Sequence, residues 1–183
     1  MKQLLSVVLL AVLFTGFINA QSQGISIGGN VALPMGDFGD AANVGFGGTA
    51  TYERSFSPNL MGQVYAGYIM FGGESYTDPD FGDYSYSNSM IPIMAGVKYF
   101  FQPGKGFYAH GLLGVHIYNF STDYPDEFDA YEISESSTEF SFGIGAGYEV
   151  PVGGKNAVDI GAHYMIISDA NYVGFRLAYK FGM

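Results

Sequence analysis

One pattern limits what this chain can become. Apolar or aromatic side chains fall at every second position, over stretches of ten or more residues, again and again. The last dozen residues show it best. Phe175, Leu177, Tyr179, Phe181 and Met183 alternate with Gly174, Arg176, Ala178, Lys180 and Gly182. A strand sends successive side chains to opposite faces, so this segment has one greasy face and one small, cationic face. In a soluble protein the greasy face would meet a core. In a membrane barrel it meets lipid, and the charges point inward.

The 27 glycines, 15 tyrosines and 16 phenylalanines favour the β reading, because neither glycine nor aromatics favour helix interiors. Gly143, Gly145 and Gly147 recur inside an apolar run, where strands bend or approach closely. The absence of cysteine excludes a disulfide scaffold, a thiolate metal site, a cysteine nucleophile and a cysteine-anchored lipoprotein. A formal charge of -10 argues against nucleic acid as a partner.

Residues 1–20 carry Lys2, then the apolar run LLSVVLLAVLF, then TGFINA ending on a small residue. This is the layout of an export signal peptide with cleavage before Gln21. The barrel domain is then expected over residues 21–183. No later stretch has the run of apolar residues that a spanning helix needs.

The alternation predicts about eight strands. They cover residues 24–33, 43–56, 60–71, 88–101, 107–120, 138–150, 157–167 and 172–183. Pro92 interrupts the fourth, so a bulge or a locally unpaired site is expected there. The connections are asymmetric. Short turns lie around Pro58, Gly104 and Gly153. The opposite connections lie around Asp37, Asp80, Asp126 and Asp169; the first three are expected to be long, the one near Asp37 turn-rich and those near Asp80 and Asp126 long acidic loops. Strands of ten or more residues exceed the usual five or six of soluble sandwiches and suit a tilted membrane crossing.

The charges sort by end. Of the 17 acidic residues, all but Glu53, Glu149 and Asp159 belong to the long-connection end, where no lysine or arginine lies. Those three fall on the inward face near the short turns, with Lys98 and Lys180, and with Arg176 deeper. Buried charges need partners. Glu53, Lys98, Glu149, Asp159, Arg176 and Lys180, with His110 nearby, are therefore expected to form an interior ion-pair network that plugs the barrel. About eight strands leave room for little more than side chains. The acidic loops are expected to be a solvated surface; the alternative is a divalent-cation site at DPDFGD (Asp78 to Asp83) or DYPDEFD (Asp123 to Asp129), neither of which has EF-hand spacing.

Catalysis is not expected. His116 and His163, with Ser168 and Asp169, are the residues a hydrolase reading would use. No nucleophile-elbow motif and no paired metal-ligand histidines accompany them. No cofactor is expected either, since GIGAG lies within a strand and lacks the following helix of a dinucleotide loop.

The leader, the aromatic alternating strands, the turn asymmetry and the terminal YKFGM together resemble the small outer-membrane β-barrel proteins of Gram-negative bacteria, of the OmpA/OmpX type. The resemblance covers the whole chain after the leader. It implies an all-β, eight-stranded antiparallel up-and-down transmembrane barrel in the outer membrane, monomeric and surrounded by lipid. It also implies short turns in the periplasm, long connections outside, and recognition of the C-terminal strand by the barrel-assembly machinery. Phe181 stands before Gly182 and Met183 rather than last. The expected role is structural or surface-interactive. The alternatives are a narrow channel or conduit for small solutes or hydrophobic ligands, lined by Met94, Phe100 and Leu112, then an enzyme, then a soluble lipocalin-like barrel.

Overall fold

The computed structural model describes residues 23–78, 82–123, 132–168 and 170–183. Eight strands follow in order: β1 (Gln23–Pro34), β2 (Gly45–Ser55), β3 (Leu60–Asp78), β4 (Gly82–Gln102), β5 (Lys105–Asp123), β6 (Glu132–Gly153), β7 (Asn156–Ile167) and β8 (Tyr172–Gly182). Each pairs antiparallel with its sequence neighbours, and β1 pairs with β8 to close the barrel. The Met183 N–H donates to the Gln23 carbonyl at 2.8 Å, so both ends of the described chain meet at this seam. Among the described residues no helix is long and apolar enough to cross a membrane. The strands make the crossing. The expected leader, residues 1–20, lies outside the described residues.

The alternation sets the faces as expected. Phe46, Phe101, Phe107, Phe140 and Leu177 are exposed on the outside, Phe107 to 66%. Neighbours such as Phe100, Tyr108, Ser141, Arg176 and Ala178 turn inward and are buried. At the short-turn end the outward aromatics pair up: Tyr99 with Phe101, Phe107 with Tyr148, and Tyr179 with Phe181, at centroid distances of 5.8, 4.6 and 4.7 Å. This is the girdle expected where a barrel meets the membrane interface. A soluble lipocalin-like barrel would carry the opposite pattern.

The short turns use glycine where the backbone demands it. Gly104 and Gly154 have φ of 64° and 58°, a region that side-chain-bearing residues rarely enter.

Two expectations about the connections are corrected. The segments expected as long acidic loops are largely strand. β3 and β4 stay paired out to Asp78 and Gly82, and β5 and β6 out to Asp123 and Glu132. The cause is in the composition: Tyr76, Tyr84 and Tyr86 alternate with small polar residues, a β-favouring pattern that the acidic residues obscure. The first connection is not a plain turn either. It contains a short helix, α1 (Asp37–Ala41), entered through Gly36 with φ 63°.

Pro92 makes a locally unpaired site and no bulge. The β3–β4 ladder runs from Ala66↔Ile93 to Ile69↔Met90 and skips the two positions between, with no change of register. Toward β5 the ladder is intact, with Pro92 opposite His116. The missing N–H thus falls on the β3 side only. The one register shift of this ladder lies farther out, between Gly72 and Ser75.

Candidate functional site

The interior has two layers of different chemistry. The layer toward the short turns is ionic. Lys98 on β4 sends its ammonium to the centre, where it reaches three carboxylates from three other strands. It meets Glu53 of β2, Glu149 Oε1 of β6 at 2.9 Å and Asp159 Oδ2 of β7 at 2.9 Å. Lys180 of β8 lies 3.0 Å from Glu149 Oε2 and 2.5 Å from Glu53 Oε2. Arg176, also on β8, approaches Asp159 Oδ2 at 3.3 Å through Nη1. Its other nitrogens donate to Ser26 Oγ at 2.8 Å and Thr49 Oγ1 at 3.0 Å. Lys98, Glu53 and Asp159 are almost wholly removed from solvent, and Lys180 and Arg176 are buried as well.

Three acids and three bases meet here, so the formal charges cancel. Isolated, each buried ion would carry a desolvation cost of several kcal/mol. Shared, the Lys98 ammonium satisfies its three N–H groups on three carboxylates. Aromatics close the layer: the Lys98 ammonium stands 4.3 Å from the Tyr108 ring centroid, and the Tyr108 hydroxyl donates to Asp159 Oδ1 at 2.6 Å. Phe100 and Met61 pack beside Tyr108. Carboxylate oxygens of Glu53, Glu149 and Asp159 lie within 4.8 Å of one another, a spacing that could hold a cation. The Lys98 ammonium occupies the space between them and supplies that positive charge.

Sequence parity alone puts these six charged residues on one face, and the fold brings them into contact. His110 stands apart from the ion pairs. Its Nδ1 faces Gln63 Nε2 at 3.1 Å, and its ring lies 6.3 Å from that of His163. Glycines make the sockets for these rings. A β-carbon at Gly145 would collide with His110, at Gly147 with Tyr108, and at Gly174 with His163.

The layer toward the long hairpins is apolar. Ile69, Phe71, Met90, Met94, Leu112, Met165, Ile167 and Tyr172 form one buried cluster. Helix α1 turns Phe38 down into it, with ring centroids 5.1 Å from Phe71 and 6.4 Å from Tyr118. Sequence reading missed this layer as a unit. Its signal was the run of bulky inward residues on β3, β4 and β7, set against the glycines of β6. Met94 and Leu112, expected as walls of an apolar conduit, are core residues here, and Phe100 belongs to the ionic layer's aromatic cap.

The histidines of a hydrolase reading are internally bonded or enclosed. His116 Nδ1 lies 2.8 Å from Ser141 Oγ, and Nε2 lies 3.0 Å from the Tyr172 hydroxyl. His163 is buried among the rings of Tyr65, His110 and Tyr172. Ser168 is exposed at the end of β7, and Asp169 lies outside the described residues. The side chains of the candidate cation stretches Asp78 to Asp83 and Asp123 to Asp129 also lie outside the described residues.

Comparison with known proteins agrees with this architecture. No curated protein matches the chain. Among solved structures, the attachment invasion locus protein Ail of Yersinia pestis, crystallised with the heparin analogue sucrose octasulfate, is similar. It is 15% identical with a TM-score of 0.62, over 88% of this chain and 99% of that one. A major outer membrane protein of Thermus thermophilus is 14% identical with a TM-score of 0.60, over 90% and 100% of the two chains. OprG of Pseudomonas aeruginosa is 14% identical with a TM-score of 0.55, over 90% and 96%. At such identities these likenesses speak for the fold alone. The family model described as "Outer membrane protein beta-barrel domain" matches residues 5–181, nearly the whole sequence. The chain belongs to the outer membrane protein β-barrel domain family, and its place is the outer membrane.

Proposed function

We propose that this barrel is closed to solutes and serves a structural or surface-interaction role. In this reading residues 1–20 direct export and are removed. The monomeric barrel is assembled through its C-terminal strand by the barrel-assembly machinery and sits in outer-membrane lipid. The short turns face the periplasm, and the long acidic hairpins face outward, where they can meet divalent cations.

One observation carries the closed state. The Lys98 ammonium is held at the barrel centre by carboxylates from β2, β6 and β7, with Lys180 and Arg176 of β8 completing the set. Eight strands leave an interior that side chains can fill. Above the charges, the apolar cluster with Phe38 packs across the barrel below its outer mouth. Between the layers lies a cavity of about 20 Å³ bordered by Thr51, Tyr65, His163 and Arg176. That is the size of one water, too small for a solute.

The ligand crystallised with Ail does not transfer by analogy. Sucrose octasulfate is a polyanion, and the long-hairpin end of this chain contains no lysine or arginine. A partner bound there by charge would be cationic. No catalytic role belongs to this reading, since His116 is buried and bonded at both ring nitrogens.

The test is conductance of the refolded protein in planar bilayers at neutral and acidic pH. Silence at both is expected. Steady openings would overturn the closed reading and favour the narrow conduit, with Lys98, Glu149 and Arg176 as its lining.

A further inference from the structure

At the long-hairpin end the apolar layer does not fill the barrel mouth. A hollow of about 240 Å³ opens there, floored by Phe38, Met90 and Ile167 and walled by Tyr118, His116 and Glu139. A second, more open hollow of about 470 Å³ adjoins it along Tyr118 and Ser137 and extends to Phe120. The Phe38 hollow by itself falls below the usual range of about 300–1,000 Å³ for drug-sized ligands, so a small occupant fills it.

The polar groups of this hollow are unequal. His116 stands opposite Glu139 in the β5–β6 ladder, but Ser141 and Tyr172 already engage both of its nitrogens. The Tyr118 hydroxyl donates to Asn88 Oδ1 at 2.8 Å, and its ring lines the hollow. Glu139 is half-buried and forms no ion pair among the described residues. The chain cannot supply a lysine or arginine partner from elsewhere. Beyond the leader its basic residues are Arg54, Lys98, Lys105, Lys155, Arg176 and Lys180, all in the ionic layer or toward the short turns. A carboxylate without a counter-charge thus stands over an apolar floor, beside an aromatic ring. A cation with an apolar body would satisfy all three at once.

We propose that this hollow is a binding site for a small organic cation, of the aryl or alkyl trimethylammonium class. The apolar body lies on Phe38, Met90 and Ile167. The positive head meets Glu139 and the face of Tyr118. The acidic end of the barrel raises the local concentration of such cations and steers them in. The site lies at the barrel mouth, away from the ionic layer, and does not rest on the closed reading of the interior.

The test titrates benzyltrimethylammonium into the refolded protein in nanodiscs of zwitterionic phospholipid. The readout is the Met90 methyl signal of protein carrying isotope-labelled methionine. Saturable displacement of that signal is expected. Glu139→Gln should weaken binding at least about tenfold, since a charge-paired contact to a partly desolvated head is lost. Asp37→Asn should leave it unchanged, because Asp37 is exposed at the same end and lines no part of the hollow. Three results would overturn the proposal. One is no displacement of the Met90 signal. Another is an equal response to neopentylbenzene, the neutral isostere, which would make the hollow a plain apolar pocket. The third is an equal shift of the same signal by magnesium or calcium, which would make Glu139 an unselective cation contact. The isostere and metal arms need no variant, so they decide the matter even if Glu139→Gln fails to fold.

Discussion

The ionic half and the apolar half of the barrel interior fill the same cross-section by opposite means. In the ionic half, three carboxylates, two lysines (Lys98 and Lys180) and an arginine from five strands hold one another by direction-dependent contacts. Around Met90 and Met94, flexible thioethers, isoleucines and aromatic rings fill space by shape alone, closed by a phenylalanine carried in on α1. The ionic half tolerates no missing member, because each removal strands a buried charge. The apolar half loses stability in proportion to the volume removed, and methionine can partly refill a gap.

The largest expected break in this contrast is Lys98→Met. It would leave three buried carboxylates facing two cations, and should cost about 3–5 kcal/mol of folding stability. Urea titration of the barrel in lipid vesicles, followed by its heat-modifiable gel mobility, would measure it. Adding Glu53→Gln to Lys98→Met balances the charge again and should recover part of that loss. A double variant no better than the single one would mean that geometry, not charge balance, governs the layer.

Phe38→Ala should come next. Truncating a buried ring costs about 3 kcal/mol at the lower end of the range, and α1 sits at a rim that can relax. The same titration would show it, and increased protease cleavage near α1 would accompany it. An unchanged midpoint would remove Phe38 from the core.

Gly174→Ala should cost about 1–3 kcal/mol, because the new methyl would drive the His163 ring out of its socket. Crosspeaks of the His163 ring in a proton–nitrogen spectrum would move with it. The smallest effect is expected at Asn30. It is buried in the ionic half, yet neither side-chain polar atom has a partner among the described residues. Asn30→Val should change stability by less than about 1 kcal/mol, since no made hydrogen bond is lost. A larger loss would mean that this half depends on every polar group it contains.

How far the sequence was readable follows from the same contrast. Strand identity and facing came from period two, and parity alone put Glu53, Lys98, Glu149, Asp159, Arg176 and Lys180 on the inner wall. Which of them touch depends on register across strands that are distant in sequence, as with Glu53 and Lys98 on β2 and β4. That information is not local. Phe38 was illegible for another reason. A five-residue helix in a Gly- and Asp-rich connection has the composition of a surface turn, and only the hollow left above Met90 gives its ring somewhere to go. The strand extensions to Asp78 and Glu132 were hidden because acidic residues weaken the aromatic alternation without abolishing it.

The seam between β1 and β8 has a consequence for the order of the chain itself. Gln23 and Met183 are one hydrogen bond apart. A short flexible linker could join them, and the turn at Gly153 and Gly154 could be cut to make new ends. Every ladder of the barrel would survive except the covalent turn that was opened. The strand order in space would be unchanged, while the order of synthesis would begin at β7 and finish at β6. Such a rearranged chain would separate the stability of the closed cylinder from the information carried by whichever strand happens to be last.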